Sequence, residues 1–154
     1  NRFGSGDPCT RAQIVTFLWR AAGSPVVNYA MDLADVDEGA YYAEAVRWAL
    51  SEGVTSGTSA ATFGPEDTCT RAQAVTFLFK AMKAAAEGKA DFKDVADSDW
   101  FASAVAWAVE NGVTAGVGGG LFGPDNDCTR AQIVTFLWKL YAGKSRSRHS
   151  SEPE

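Results

Sequence analysis

The chain has 154 residues, 46% of them hydrophobic and 12% aromatic, enough to bury a core as one soluble globular domain or as a small array of repeats. A formal net charge of −5 and an isoelectric point near 4.9 exclude nucleic acid as a general partner, because binding a phosphate backbone needs a basic face. No stretch approaches the roughly 20 apolar residues of a membrane span, so no span is expected, and the absence of a charged-then-apolar leader carries no weight because the first residues already lie inside a repeat.

The first recognisable element is Cys9-Thr10-Arg11-Ala12-Gln13, followed by Ile14, Val15, Phe17, Leu18 and Trp19. The same phrase returns at Cys69 and Cys128, a period of roughly 60 residues that marks repeated supersecondary units. Thr-x-x-Gln before an apolar run is a capping box, so a helix is predicted to start after Thr10, Thr70 and Thr129. With Thr as the cap, Cys and the residue at 14, 74 or 133 occupy the two positions of a hydrophobic staple. These helices are apolar on most faces and are expected to pack together at the centre.

Between the first two phrases lies the other half of the unit. It runs from Leu33 and Val36 through Tyr41, Tyr42, Ala45, Val46, Trp48 and Ala49 to Gly53, Val54, Thr55 and Gly57. Its counterpart runs from Phe92 and Val95 through Trp100, Phe101, Ala104, Val105, Trp107 and Ala108 to Gly112, Val113, Thr114 and Gly116. Apolar residues at helical spacing predict a helix in each, and Gly53 or Gly112 stands where a left-handed C-terminal cap is wanted. A surface turn rich in Gly, Ser and Thr leads on to Phe63-Gly64-Pro65 or Phe122-Gly123-Pro124 and the next phrase.

The expected domains are a partial first repeat over 1–24, a second repeat over 33–87, a third over 92–142 and a disordered, solvated tail over 143–154. Three second-half helices stand against two first-half helices, so the front of the first repeat is either absent from this stretch or supplied by a partner chain.

Three readings compete for the cysteines. A metal site needs converging thiolates, and the sequence has no Cys-x-x-Cys and one histidine, His149, in the tail. A disulfide leaves one cysteine over. Packing as small buried hydrophobes is the preferred reading, and no metal or other cofactor is implied. The arginine is harder to explain, since a cation at the first helical position opposes the macrodipole by a few tenths of a kcal/mol. Guanidinium beside free helix-start amides would make a cradle for carboxylate or phosphate. An internal salt bridge from Arg11, Arg71 or Arg130 to an acid such as Asp35 or Asp94 is the plainer alternative.

These phrases resemble S-layer homology domains, the modules that hold proteins on bacterial cell walls. The resemblance rests on Phe92-Lys93-Asp94-Val95, Trp100-Phe101, Ala104 to Ala108, Glu110 to Gly116, Phe122-Gly123-Pro124-Asp125 and Thr129-Arg130-Ala131-Gln132, and covers nearly all of the chain outside the tail. The family's signature is Thr-Arg-Ala-Glu; Gln replaces Glu in every copy here, which keeps the capping box and removes a negative charge.

The resemblance implies an all-α fold: tandem helix-loop-helix repeats in a pseudo-threefold spindle around a central helical bundle. It implies extracellular, cell-wall localisation and a non-catalytic role. Grooves between repeats would bind an anionic secondary cell-wall polysaccharide, typically through a pyruvylated amino sugar. Carried over, the contacts are Arg11, Arg71 and Arg130 for the ketal carboxylate, with Asp94 and Trp100 in the third repeat and Asp35 with Tyr42 or Tyr41 in the second.

Rival readings are weaker. Asp94, Asp97 and Asp99 form an acidic cluster that a glycosidase or a calcium site could use, but no nucleophile motif or calcium-loop pattern accompanies it, and the cluster is expected to cap the following helix and solvate its loop. The remaining alternative is a self-assembly or protein-interaction module of a bacterial surface protein, monomeric or assembling through the incomplete first repeat.

Overall fold

The computed structural model describes residues 7–151 apart from 56, 59, 60, 87 and 90, with side chains described as far as Leu140. The described residues form five helices, α1 (Arg11–Ala21), α2 (Ala43–Ser51), α3 (Arg71–Ala81), α4 (Ala102–Glu110) and α5 (Arg130–Ser151). Among the described residues the remaining regular pairing is a set of isolated β-bridges, so the fold is all-α.

The helix starts follow from the repeated phrase. Thr10 and Thr70 hold extended backbone and accept from the amides of Gln13 and Gln73, while each Gln side chain accepts from the cap amide. Thr129 and Gln132 make the same pair of bonds. Each box satisfies two amides that the first helical turn otherwise leaves unpaired. Next to it, Cys9 with Ile14, Cys69 with Ala74 and Cys128 with Ile133 are fully buried, as a staple requires. The shorter helices α2 and α4 end on Gly53 and Gly112, both at positive φ, and the amides of Val54 and Val113 reach back 2.8 Å to the carbonyls of Ala49 and Ala108. That is the six-to-one bond of a glycine-terminated helix.

The three phrases meet in space. Cys9 N donates to Cys128 O (2.8 Å), Cys128 N to Cys69 O (2.8 Å) and Cys69 N to Cys9 O (2.7 Å), closing a ring of backbone hydrogen bonds. The larger helix interfaces lie outside this ring, where α1 packs on α2 and α3 on α4. Helices α1 and α3 are thus each covered by the short helix that follows them, and these packing units cut across the sequence repeats. Ile14, Val15, Leu18, Val46, Val75, Leu78, Val105 and Ile133 fill a shared core, each worth about 1.5–3 kcal/mol relative to exposure.

Two expectations are corrected. Helix α5 continues to Ser151, so residues 143–151 of the segment read as a disordered tail are helical, and residues 152–154 lie outside the described residues. The acidic cluster does not cap α4 with side chains, since the cap residue Phe101 makes no such bond. Instead Asp99 accepts from Ala96 N (2.8 Å) in the entry turn, and Asp97 pairs with Lys89 (3.1 Å).

Candidate functional site

The helix starts are not open cradles. The amides of Arg11 and Ala12 donate to Asp67 O (2.9 Å) and Pro65 O (3.0 Å), those of Arg71 and Ala72 to Asn126 O (2.8 Å) and Pro124 O (3.0 Å), and that of Arg130 to Asp7 O (3.0 Å). The loop ahead of the next phrase therefore occupies the positions an anion would take, and the expectation of free amides fails.

The arginine side chains lie elsewhere. Arg11 Nε donates to Phe63 O (2.9 Å) and its guanidinium sits 4.9 Å from the Phe63 ring centre and 5.2 Å from that of Phe77. Arg71 repeats this with Phe122 O (2.9 Å) and the rings of Phe122 (4.8 Å) and Phe136 (5.5 Å), and its Nη2 reaches Thr114 Oγ1 (3.4 Å). The two are 5% and 3% exposed. Burial pulls both guanidinium pKa values down, opposed by neighbouring groups that include the carboxylates of Asp35 at Arg11 and Asp94 at Arg71. Arginine stays charged under such a shift. Among the described residues neither forms a salt bridge with a carboxylate, so the internal ion-pair reading is not what the structure shows.

Asp35 and Asp94 have a different task. Asp35 accepts from the amides of Phe63 (2.9 Å) and Gly64 (2.8 Å), and Asp94 from those of Phe122 and Gly123 (both 2.9 Å). Burial acts to raise the Asp94 pKa, but the amides of Phe122 and Gly123 and the field of Arg71 outweigh it and hold it below the ordinary value. Each acid fixes the peptide whose ring and carbonyl grip an arginine.

What remains open of each guanidinium faces a groove. The first, about 180 Å³, is walled by Arg11, the Thr55 and Gly57 turn, Gln73 and Lys80 of α3, and Trp100. The second, about 430 Å³, is its counterpart, with Arg71, the Thr114 and Gly116 turn, and Gln132 and Lys139 of α5. Thr55 and Thr114 accept from the amides of Gly57 (3.0 Å) and Gly116 (3.1 Å) and so shape both turns alike. Gly116 has φ +97°, and a Cβ there would fall 2.7 Å from Leu121 O, so this turn requires glycine.

The aromatics divide by depth. Trp100 is 67% and Tyr41 61% exposed, while the next residues, Phe101 and Tyr42, are buried and meet them edge-on at 5.1 and 5.0 Å. Tyr41 is thus the counterpart of Trp100, and Tyr42 is core. Burial and the charge of Glu66 raise the Tyr41 phenol pKa, while Arg130 and Arg20 pull it down, which puts Tyr41 within the field of the third arginine. Arg130 is half-buried. The sequence reading missed Lys80 and Lys139. Their register was visible: position 20, 80 or 139 carries Arg, Lys and Lys, nine residues after each signature arginine.

The cysteines are free thiols, all buried. Burial pushes the Cys9 and Cys128 pKa values up to about 11 and about 12, and that of Cys69 further. Neutral thiols pack and neither attack nor ligate. Among the described residues no group of His, Cys, Asp and Glu is arranged to hold a metal ion, and no helix is long and apolar enough to cross a membrane.

These features define a class: a helical tandem-repeat module with paired grooves, each floored by a buried arginine. The S-layer homology domain family matches the chain over residues 32–75 and 91–134, and the chain belongs to that family. It is 37% identical over 127 residues to the Surface-layer 125 kDa protein of Lysinibacillus sphaericus, covering 82% of this chain and 11% of that protein. It is 32% identical over 116 residues to a Cell surface protein of Thermoanaerobacter kivui, covering 71% and 15%. A Cellulosome-anchoring protein of Acetivibrio thermocellus is 34% identical over 83 residues, covering 51% and 19%. The chain therefore spans less than a fifth of the length of each of these relatives. An Amylopullulanase of Thermoanaerobacterium thermosulfurigenes shares the same kind of stretch over 7% of its length.

Proposed function

We propose that this module anchors its protein to the bacterial cell wall by holding an anionic secondary cell-wall polysaccharide, pyruvylated on an amino sugar, in the Arg11 groove and its equivalents. One observation carries the reading: a guanidinium is buried between two aromatic rings, among the described residues no carboxylate forms an ion pair with it, and its open edge faces a groove that also holds Lys80. A buried cation of this kind is stabilised by an external anion. A ketal carboxylate supplies two oxygens for a guanidinium fork, and the exposed Trp100 face suits a sugar ring. Family membership and the surface-protein relatives support the same reading, with no catalytic step.

The test is binding of purified wall polysaccharide before and after removal of its pyruvate ketals, with Lys80→Ala and Trp100→Ala. Both side chains are exposed, so folding is expected to be unchanged, which the unfolding midpoint checks. Each substitution should weaken binding about tenfold, equivalent to about 1.4 kcal/mol, and ketal removal should weaken it more. Equal binding to the ketal-free glycan overturns the anion reading. A second role as an interaction module is favoured by one surface, the outer face of α5.

A further inference from the structure

The Arg11 groove is small and opens onto a larger neighbour. At about 180 Å³ it falls below the roughly 300–1,000 Å³ of cavities that enclose a whole small ligand, so it has room for the acid-bearing end of a sugar chain and little more. Two of its wall residues, Thr55 and Lys80, also wall a second cavity of about 490 Å³, whose other side is the stretch from Tyr29 to Leu33. Lys80 thus stands at the junction of the two.

The far wall is the link between α1 and α2, which has no regular secondary structure over residues 24–33 yet is tied down along its length. Trp19 Nε1 donates to Pro25 O (2.7 Å), Arg47 Nε to Tyr29 O (3.2 Å) and Ala34 N to Ala61 O (2.7 Å). Arg47 is itself held by Glu38 (2.9 Å) and Glu44 (2.8 Å). Along the link Val27, Met31 and Leu33 pack against the core, the every-second-residue pattern of an extended chain. Tyr29 falls on the same phase, but it is 42% exposed and lines the cavity. Asp32 lines it too, and among the described residues neither Asp32 nor Lys80 forms a salt bridge.

We propose that this cavity is a second sugar subsite for the neutral unit next to the acid-bearing sugar, so that the glycan runs from Arg11 past Lys80 to Tyr29. The assignment rests on the glycan reading above and extends it from one unit to two. An exposed aromatic ring beside a carboxylate acceptor suits a sugar ring with hydroxyl and amide N–H donors, such as an N-acetylhexosamine. The charge of Asp32 disfavours a second acidic unit, because like charges brought together in a site repel. The three donors of the Lys80 ammonium can serve the acid on one side and a hydroxyl or ring oxygen on the other. Because the link is tied at three points, the subsite is formed before the glycan arrives, and little ordering cost is set against binding.

Two probes separate the subsite from the groove: a pyruvylated N-acetylhexosamine, and the same sugar linked to a neutral N-acetylhexosamine. In calorimetric titration of the unmodified chain the disaccharide should bind about tenfold tighter. Tyr29→Ala should bring the disaccharide down to the affinity of the monosaccharide and leave the monosaccharide unchanged, Tyr29→Phe should keep most of the gain, and Asp32→Asn should lose part of it. Lys80→Ala should weaken both probes. Tyr29 and Asp32 are exposed, so the unfolding midpoint should not move. Equal affinity for the two probes overturns the subsite and leaves the glycan reading standing. A Tyr29→Ala variant that still prefers the disaccharide, or that weakens both probes alike, overturns it as well. If neither probe binds, the glycan reading falls and the subsite falls with it. A disaccharide whose second unit carries its own ketal should bind more weakly than the neutral one, and the reverse order would overturn the assignment of a neutral unit beside Asp32.

Discussion

Val75 and Val134 stand at the same position of the same repeated phrase, six residues after an identical cysteine, yet Val75 is fully buried and Val134 is 48% exposed. Local sequence makes both helices start, but it is the short helix packed alongside that makes one of the valines core. Burial belongs to the neighbour a residue receives, so equal sequence does not mean equal energetic weight. The largest predicted effect breaks the pair apart. Val75→Asp buries an unpaired carboxylate and should cost more than about 4 kcal/mol, leaving little folded protein, whereas Val134→Asp should change stability by no more than about 0.5 kcal/mol. Urea unfolding of the two variants checks this, and comparable losses at both sites would mean that α5 is covered in solution.

A second effect, of intermediate size, tests the supports of the two grooves. Asp94→Ala leaves the amides of Phe122 and Gly123 without their acceptor and should cost about 2 kcal/mol, the scale of hydrogen bonds to a charged group. Its pH dependence has a definite sign. The folded pKa of Asp94 lies below the ordinary value, so its contribution is fully present above the unfolded pKa, about pH 4, and is lost as pH falls through the folded one. Asp94→Asn should therefore lower the midpoint at neutral pH and flatten the acid limb of the stability profile below about pH 4. An unchanged acid limb would show that the carboxylate does not hold the Phe122 turn in its charged form.

The local parts of this fold were legible in the sequence. Thr10 with Gln13, Gly53 and Gly112 at helix ends, and Cys9 with Ile14 all act within five residues, so spacing alone carries them. What failed was set by partners far along the chain. The helix-start amides looked free because their acceptors, such as Pro65 and Asp67, lie more than fifty residues away. Nothing local reveals that Asp35 and Asp94 bond to amides 28 and 29 residues on. Tyr41 and Tyr42 could not be separated because their difference is which side of α2 meets the core. Lys80 and Lys139 were readable as a repeated basic position, and were passed over because a cation in the last helical turn already has a local explanation in the macrodipole.

The smallest predicted effect asks how tightly α5 is coupled to the rest. Thr10, Thr70 and Thr129 make the same capping bonds, with Gln amide to Thr hydroxyl at 3.1 Å in each, and replacing a capping Thr by Ala costs about 1 kcal/mol. A cap acts on its own first turn, so the loss should be the same at α1 and α3, where the helix is covered on both faces. At α5 the first turn is still tied in by the ring of cysteine bonds and by Arg130 N to Asp7 O, although the face beyond it is bare. If Thr129→Ala lowers global stability as much as Thr70→Ala, the start of α5 unfolds together with the core. If it instead speeds amide exchange in α5 alone, the helix opens by itself, as expected where Val134 and Trp138 lack the cover that Val75 and Phe79 receive.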